Sequence, residues 1–272
     1  MRLSTAMLST VLLLEQPALH AKPPEAASQP LPSNAAPHKA GDQRFTSVVE
    51  VKAGKEEACR KLFATFPAEV AALYQEARHR NMTSFLKEFG GKTHLITFFE
   101  YAGKDYAADV AGLAGKEAFK NWRKALAEVL VSPEPAKGWE NIEEVFYTEG
   151  AADVVPTPEK YSRVGMITGL KREKEAEYRG LHSDPWPGVL KGIRDANYRN
   201  FTIRLIELDG NLYLIGYLEY VGKDAAADAA AAQAIPVNKR WWKFTDACQQ
   251  PLRPDAAKGE LWDGLQEIHH LD

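Results

Sequence analysis

The sequence predicts an α+β fold of two tandem units, and three features point to it. The run Phe98-Phe99-Glu100-Tyr101-Ala102-Gly103-Lys104-Asp105 reappears as Tyr217-Leu218-Glu219-Tyr220-Val221-Gly222-Lys223-Asp224, an offset of 119 (219 minus 100). A repeat at fixed period has to be explained before any fold is assigned. The same offset pairs Trp122 with Trp241, Phe63 with His182, Cys59 with Tyr178 and Asn81 with Asn200, so one register holds through both copies. Each copy also reads as strand, helix, strand, strand, helix, strand.

In the second copy, 162–169 mixes branched and small residues as a strand does, and 171–196 carries Leu181, Val189, Leu190 and Ile193 at broadly helical spacing. Pro185 and Pro187 break or bend that helix, because proline has no backbone N–H and pushes its predecessor out of helical geometry. Residues 201–207 alternate Phe201, Ile203 and Leu205 with Thr202, Arg204 and Ile206; Asp209-Gly210-Asn211 then turns the chain into the strand 212–220. Helical pieces follow at 225–234 and 237–248, and a closing strand at 265–271. The first copy gives the same order at 46–51, 55–76, 82–88, 94–101, 106–130 and 142–147. This is the ferredoxin-like split βαβ order. One face of each sheet is covered by its own helices, and the other must find a partner. Two tandem copies in one chain predict an intramolecular α+β barrel, a monomer acting as a pseudo-dimer.

The domain reading is therefore a signal peptide at 1–21, a tether at 22–43, a degenerate unit at 44–150 and a working unit at 160–272, with a linker rich in Pro from Gly150 to Lys160. Arg2 precedes an apolar run at 6–14, and the stretch reads either as a signal peptide ending near Ala21, which predicts export to the periplasm or beyond, or as a disordered tail with a chance apolar run. The run is far shorter than the about 20 residues a membrane span needs. The stretch after it is rich in Pro, Ala and Ser and cannot bury enough apolar area to order itself. A composition of 45% hydrophobic and 26% charged residues with a net charge of -3 gives no electrostatic reason to expect nucleic acid or a membrane surface as partner. Cys59 and Cys248 form neither a disulfide framework nor a metal-site pattern and read as buried thiols.

Chemistry concentrates in the second copy. Tyr178 and His182 lie one helical turn apart on one face, where the first copy has Cys59 and Phe63. A residue needed only for folding is needed in both copies, so a polar pair found once points to a site. Trp241 is shared with Trp122 and reads as framework, whereas Trp242 faces Arg123 in the comparison and reads either as a sugar-stacking surface or as an ordinary core aromatic. Trp186 stands where the first copy has Pro67, and Asp184 beside it reads as a turn residue ahead of Pro185 or as an acid. His269 and His270 sit side by side on the closing strand, so at most one faces a given pocket. No His, Cys, Asp and Glu spacing indicates a metal, and no glycine-rich loop indicates a nucleotide, so no cofactor is expected.

Taken together, Tyr178-Arg179-Gly180-Leu181-His182-Ser183-Asp184-Pro185-Trp186-Pro187, Lys239-Arg240-Trp241-Trp242-Lys243 and Gln266-Glu267-Ile268-His269-His270-Leu271 resemble the bacterial L-rhamnose mutarotases across essentially all of copy two and, in degenerate form, copy one. Two positions depart from the pattern: Gly188 stands where the family commonly has an acidic residue, and His269 where it tends to have Phe. The resemblance implies dimeric α+β barrels that interconvert the anomers of L-rhamnose without a cofactor, the sugar being surrounded by a helix tyrosine and histidine and paired tryptophans. Those are Tyr178, His182, Trp241 and Trp242 here, with Trp186 as a further contact. His182 is expected to move the protons, since an ordinary imidazole with a pKa of about 6.5 offers both forms near neutrality. Tyr178 is expected to orient it or the sugar. Two other readings remain: an exported sugar-binding or accessory module without catalysis, and an oxygenase or haem protein on the same architecture.

Overall fold

The computed structural model describes residues 43–132, 142–153, 162–257 and 259–272. The signal-peptide, tether and most linker expectations concern residues outside these. Copy one supplies β1 (Gln43–Glu50), α1 (Glu56–Ala64), α2 (Ala68–Glu76), β2 (His79–Phe89), β3 (Lys92–Tyr101), α3 (Tyr106–Leu113), α4 (Glu117–Val129) and β4 (Glu143–Gly150). Copy two supplies β5 (Ser162–Leu170), α5 (Glu175–Ser183), α6 (Pro187–Asp195), β6 (Tyr198–Leu208), β7 (Asn211–Tyr220), α7 (Ala225–Ala234), α8 (Pro236–Cys248), β8 (Gln249–Gln250), β9 (Asp263–Gly264) and β10 (Gln266–Leu271).

The expected element order holds, with two differences in the helices of copy one. The helix expected over 55–76 is broken before Pro67, as the one in copy two is broken before Pro187, and 106–130 splits at Ala114-Gly115-Lys116. Both central hairpins turn through two residues of positive φ, Gly90-Gly91 and Asp209-Gly210, the geometry whose twist matches paired strands.

Each central strand begins about three residues before the alternating pattern does. A bulge at Asn81 and at Asn200 interrupts the alternation without ending the pairing. Both asparagines hold positive φ, 48° and 49°, and each donates its side-chain amide to a buried glutamate, Glu100 at 3.2 Å and Glu219 at 3.0 Å. Glu219 also accepts from Arg199 Nε at 2.7 Å.

The repeated run now has a mechanical meaning. Tyr101 and Tyr220 donate their hydroxyls to Asp109 at 2.6 Å and to Asp228 at 2.7 Å. Gly103 and Gly222 allow this because a Cβ there would lie 2.1 Å and 2.3 Å from those hydroxyls. Asp105 and Asp224 cap the next helix by accepting from Ala108 N and Ala227 N. The repeat is thus a strand-to-helix corner that both copies require.

The compact units are not the two sequence copies. The C-terminal unit runs from Glu144 to Gly264, and its sheet has the order β4-β6-β7-β5-β8, with β9 also on β5. The N-terminal unit joins Lys39–Glu143 to Leu265–Asp272, with the order β1-β3-β2-β10. Each copy's closing strand therefore completes the sheet of the other copy, whereas the sequence reading left it in its own at 44–150 and 160–272. The physical reason is that β2 and β6 are equivalent edges, bulged at equivalent asparagines, so the sequence pattern fits either pairing. In the C-terminal unit the core gathers Met166, Leu218, Ile203, Leu205 and Leu214 from the sheet with Tyr178, Val189, Ile193, Trp241 and Trp242 from the helices.

Candidate active site

Between the helices and the sheet of the C-terminal unit lies a cavity of about 90 Å³, several times the space one ordered water requires. Tyr178 and His182 reach it from α5, Trp241, Trp242, Asn238 and Thr245 from α8, and Gln249 from β8. Met166, Ile203 and Leu218 form its apolar floor. Four of the five residues that the sequence nominates are thus brought together. Trp186 is not among the lining residues. It stands behind Trp241, edge to face at 5.3 Å, with Arg240 over its ring at 5.4 Å. Asp184 is the C-cap that follows α5, and it is not among the residues that line the cavity. His269 packs in the N-terminal unit, stacked on Phe66 at 4.3 Å.

The protons of the site are assigned by its geometry. His182 Nδ1 lies 2.9 Å from the carbonyl of Tyr178, one turn back along α5. A carbonyl only accepts, so Nδ1 carries the proton and Nε2 is left with its lone pair. Burial lowers the imidazole pKa to about 4, and the bond to the Tyr178 carbonyl only partly offsets this. The expectation of an imidazole with both forms available at neutrality is therefore corrected: His182 is a neutral base at pH 7. Of the two roles expected of Tyr178, orienting His182 does not fall to its hydroxyl. Its backbone, not its hydroxyl, orients His182, while its ring stacks on the imidazole with centroids 4.1 Å apart.

Burial raises the Tyr178 phenol well above its ordinary value, so it stays protonated. The Gln249 amide beside it offsets part of that rise, but no hydrogen bond of ordinary geometry closes between them. The hydroxyl of Tyr178 is in fact buried without a partner among the described residues, and so are Tyr198 Oη, Asn238 Oδ1 and Gln249 Oε1. All four residues line the same cavity. Buried polar atoms are nearly always satisfied, so a cluster without protein partners beside a cavity is a place for water or a guest to complete them.

The equivalent place in the N-terminal unit is packed with rings. Phe63 meets Trp122 at 5.5 Å and 74°, the geometry that His182 has with Trp241 at 5.3 Å and 73°. Phe66 fills in against Trp122 at 4.6 Å. The scaffold is therefore the same and its contents differ.

Sequence reasoning missed Phe146, Tyr198, Asn238, Thr245, Gln249 and Trp262. Three of them were within reach of the comparison that found His182: Asn238 faces Phe119, Thr245 faces Leu126 and Gln249 faces Leu130 at the same offset. Phe146 was not, because it arrives on β4 from the other copy. It meets the His182 ring edge to face at 5.5 Å and 80°.

A family model described as L-rhamnose mutarotase matches residues 44–148 and again 163–271. An L-rhamnose mutarotase of Oceanobacillus iheyensis is 24% identical over 110 residues, which are 40% of this chain and 98% of that protein. One of Lactiplantibacillus plantarum is 27% identical over 110 residues, again 40% of this chain and 98% of that protein.

Proposed function

The chain belongs to the L-rhamnose mutarotase family, twice over, and from that premise we propose that its C-terminal unit interconverts the α and β anomers of L-rhamnose or a similar deoxy sugar. The observation that carries this reading is the commitment of His182 Nδ1 to the Tyr178 carbonyl, which leaves Nε2 as a neutral base at a cavity walled by Trp241 and Trp242.

Anomer exchange requires a proton to leave the anomeric hydroxyl, the bond from C1 to the ring oxygen to break, and the ring oxygen to gain a proton. The open aldehyde then rotates about C1–C2 and the steps reverse. His182 takes the first proton and returns it on reclosure. Tyr178, a phenol protonated at rest and without a partner among the described residues, passes its proton to the ring oxygen as the bond from C1 breaks and takes it back from that oxygen on reclosure. The two indoles lie along the C–H face of the sugar, where an aromatic surface gains contact without demanding hydrogen bonds. General acid-base catalysis supplies typically about a hundred- to ten-thousand-fold, which suffices for a reaction that also proceeds unaided.

The test is anomer exchange followed by NMR across L-rhamnose, L-fucose and related sugars. Acceleration of at least one of them supports the proposal. Saturable binding with no acceleration of any of them replaces it with a sugar-binding module.

A further inference from the structure

Asn238 and Gln249, which both line the cavity, are buried to 2% and 4% exposure, and each has a side-chain oxygen that nothing among the described residues satisfies. Buried acceptors without a protein partner are uncommon, so two in one cavity call for water or a ligand to complete them. Copy one shows that the scaffold does without them, since Phe119 and Leu130 hold the same positions, both buried.

The orientation of Asn238 is fixed. Its Nδ2 donates to the Ala232 carbonyl near the end of α7 at 2.9 Å, which settles which end of the amide is which and turns Oδ1 away from that contact. Gly192 on α6 leaves room for the group: a Cβ there would lie 2.5 Å from Nδ2 and 2.8 Å from Oδ1. Gln249 sits at the end of α8, its backbone paired with Leu170 of β5, so its side chain starts from a rigid point.

We propose that Asn238 and Gln249 are the residues that read the substrate, their two oxygens accepting hydrogen bonds from two hydroxyl groups of a neutral sugar. This rests on the mutarotase reading given above and extends it to specificity. The lining agrees with a neutral guest. It holds no lysine or arginine among the described residues, and two fixed acceptors repel a carboxylate or a phosphate. Tyr198, whose hydroxyl burial pushes up to about 12, stays protonated and is available as a donor in the same cavity.

The full chain is compared with Gln249→Leu and Asn238→Leu, reading the thermal midpoint and the dissociation constant for L-rhamnose together. Gln249→Leu is expected to melt at the same temperature or higher, because no described residue depends on the Gln249 oxygen and copy one tolerates leucine there, yet to bind the sugar about tenfold more weakly. Asn238→Leu also loses the Ala232 contact, so its midpoint falls while its affinity drops by a similar factor. A second readout keeps the two roles apart: L-rhamnose analogues each lacking one hydroxyl. Wild type is expected to lose affinity for the analogue missing the partner hydroxyl, and Gln249→Leu to bind that analogue and L-rhamnose alike.

Unchanged affinity in both variants, in a wild-type chain that does accelerate anomer exchange, overturns this proposal and leaves the mutarotase reading standing. A lowered midpoint in Gln249→Leu with unchanged affinity also overturns it, in favour of a structural role. A wild-type chain that binds no neutral sugar overturns both readings.

Discussion

Replacing His182 with Phe copies into the working unit what Phe63 already does in the other, where a phenyl ring meets the tryptophan in the same edge geometry. The fold is therefore expected to survive, and the change to appear in how stability depends on pH. Burial holds the His182 pKa at about 4, whereas an unfolded chain has about 6.5. Between those values the unfolded chain binds a proton that the folded chain refuses, so stability rises with pH. The contribution is fully present above about 6.5 and is lost as the pH falls toward 4. A gap of about 2.5 units at about 1.36 kcal/mol each limits the term to roughly 3 kcal/mol, of which about 2 lies between pH 7 and pH 5. His79 and His269, also held at about 4 by burial, act with the same sign in both proteins and cancel in the comparison. The assay is urea unfolding followed by tryptophan fluorescence at pH 7 and pH 5. His182→Phe is expected to lose about 2 kcal/mol less than wild type over that interval. Equal losses in the two proteins would refute the argument that His182 is buried neutral.

Four further perturbations follow from the same contacts. Phe146→Ala removes the ring that the first copy's closing strand lays against His182, and is expected to destabilise the chain by roughly 3–5 kcal/mol in chemical denaturation and to raise the His182 pKa measured by NMR titration. Gly222→Ala forces a methyl against the Tyr220 hydroxyl and the Asp228 carboxylate and is expected to cost roughly 1–3 kcal/mol in the same assay. Glu219→Ala removes the buried carboxylate that Arg199 Nε pairs with at 2.7 Å, where the Arg199 side chain is only 6% exposed, and is expected to cost about 3–5 kcal/mol. Tyr178→Phe removes a hydroxyl that has no partner among the described residues, so its melting temperature is expected to stay within a degree or two of wild type while catalysed anomer exchange falls at least tenfold.

Most of the framework was legible because both copies repeat it. The corner built from Tyr220, Gly222, Asp224 and Asp228 and the turn at Asp209-Gly210 each leave a mark in the sequence that is written twice, whereas the bulge at Asn200 breaks the alternation and hides the first three residues of β6. The exchange of closing strands left none, since β4 and β10 find equivalent edges on β6 and β2, and which edge each takes depends on tertiary structure alone. Phe146 was invisible as a site residue for that reason. The site itself was half legible. Tyr178 and His182 stood out by contrast with Cys59 and Phe63, whereas Asn238 and Gln249 carried the same contrast in a stretch where the tryptophans drew the comparison. The proton state of His182 was not legible at all, because it depends on how completely α5, α8 and β4 enclose the ring.

The most direct test of the account is the rate of anomer interconversion of L-rhamnose at pH 7, measured by exchange NMR with equal amounts of wild type and His182→Ala. The account predicts an acceleration proportional to enzyme concentration with wild type and a return to the spontaneous rate with a folded His182→Ala. Acceleration that persists in the variant would contradict the assignment of the proton transfer to this imidazole, and its absence from wild type would contradict the proposed activity.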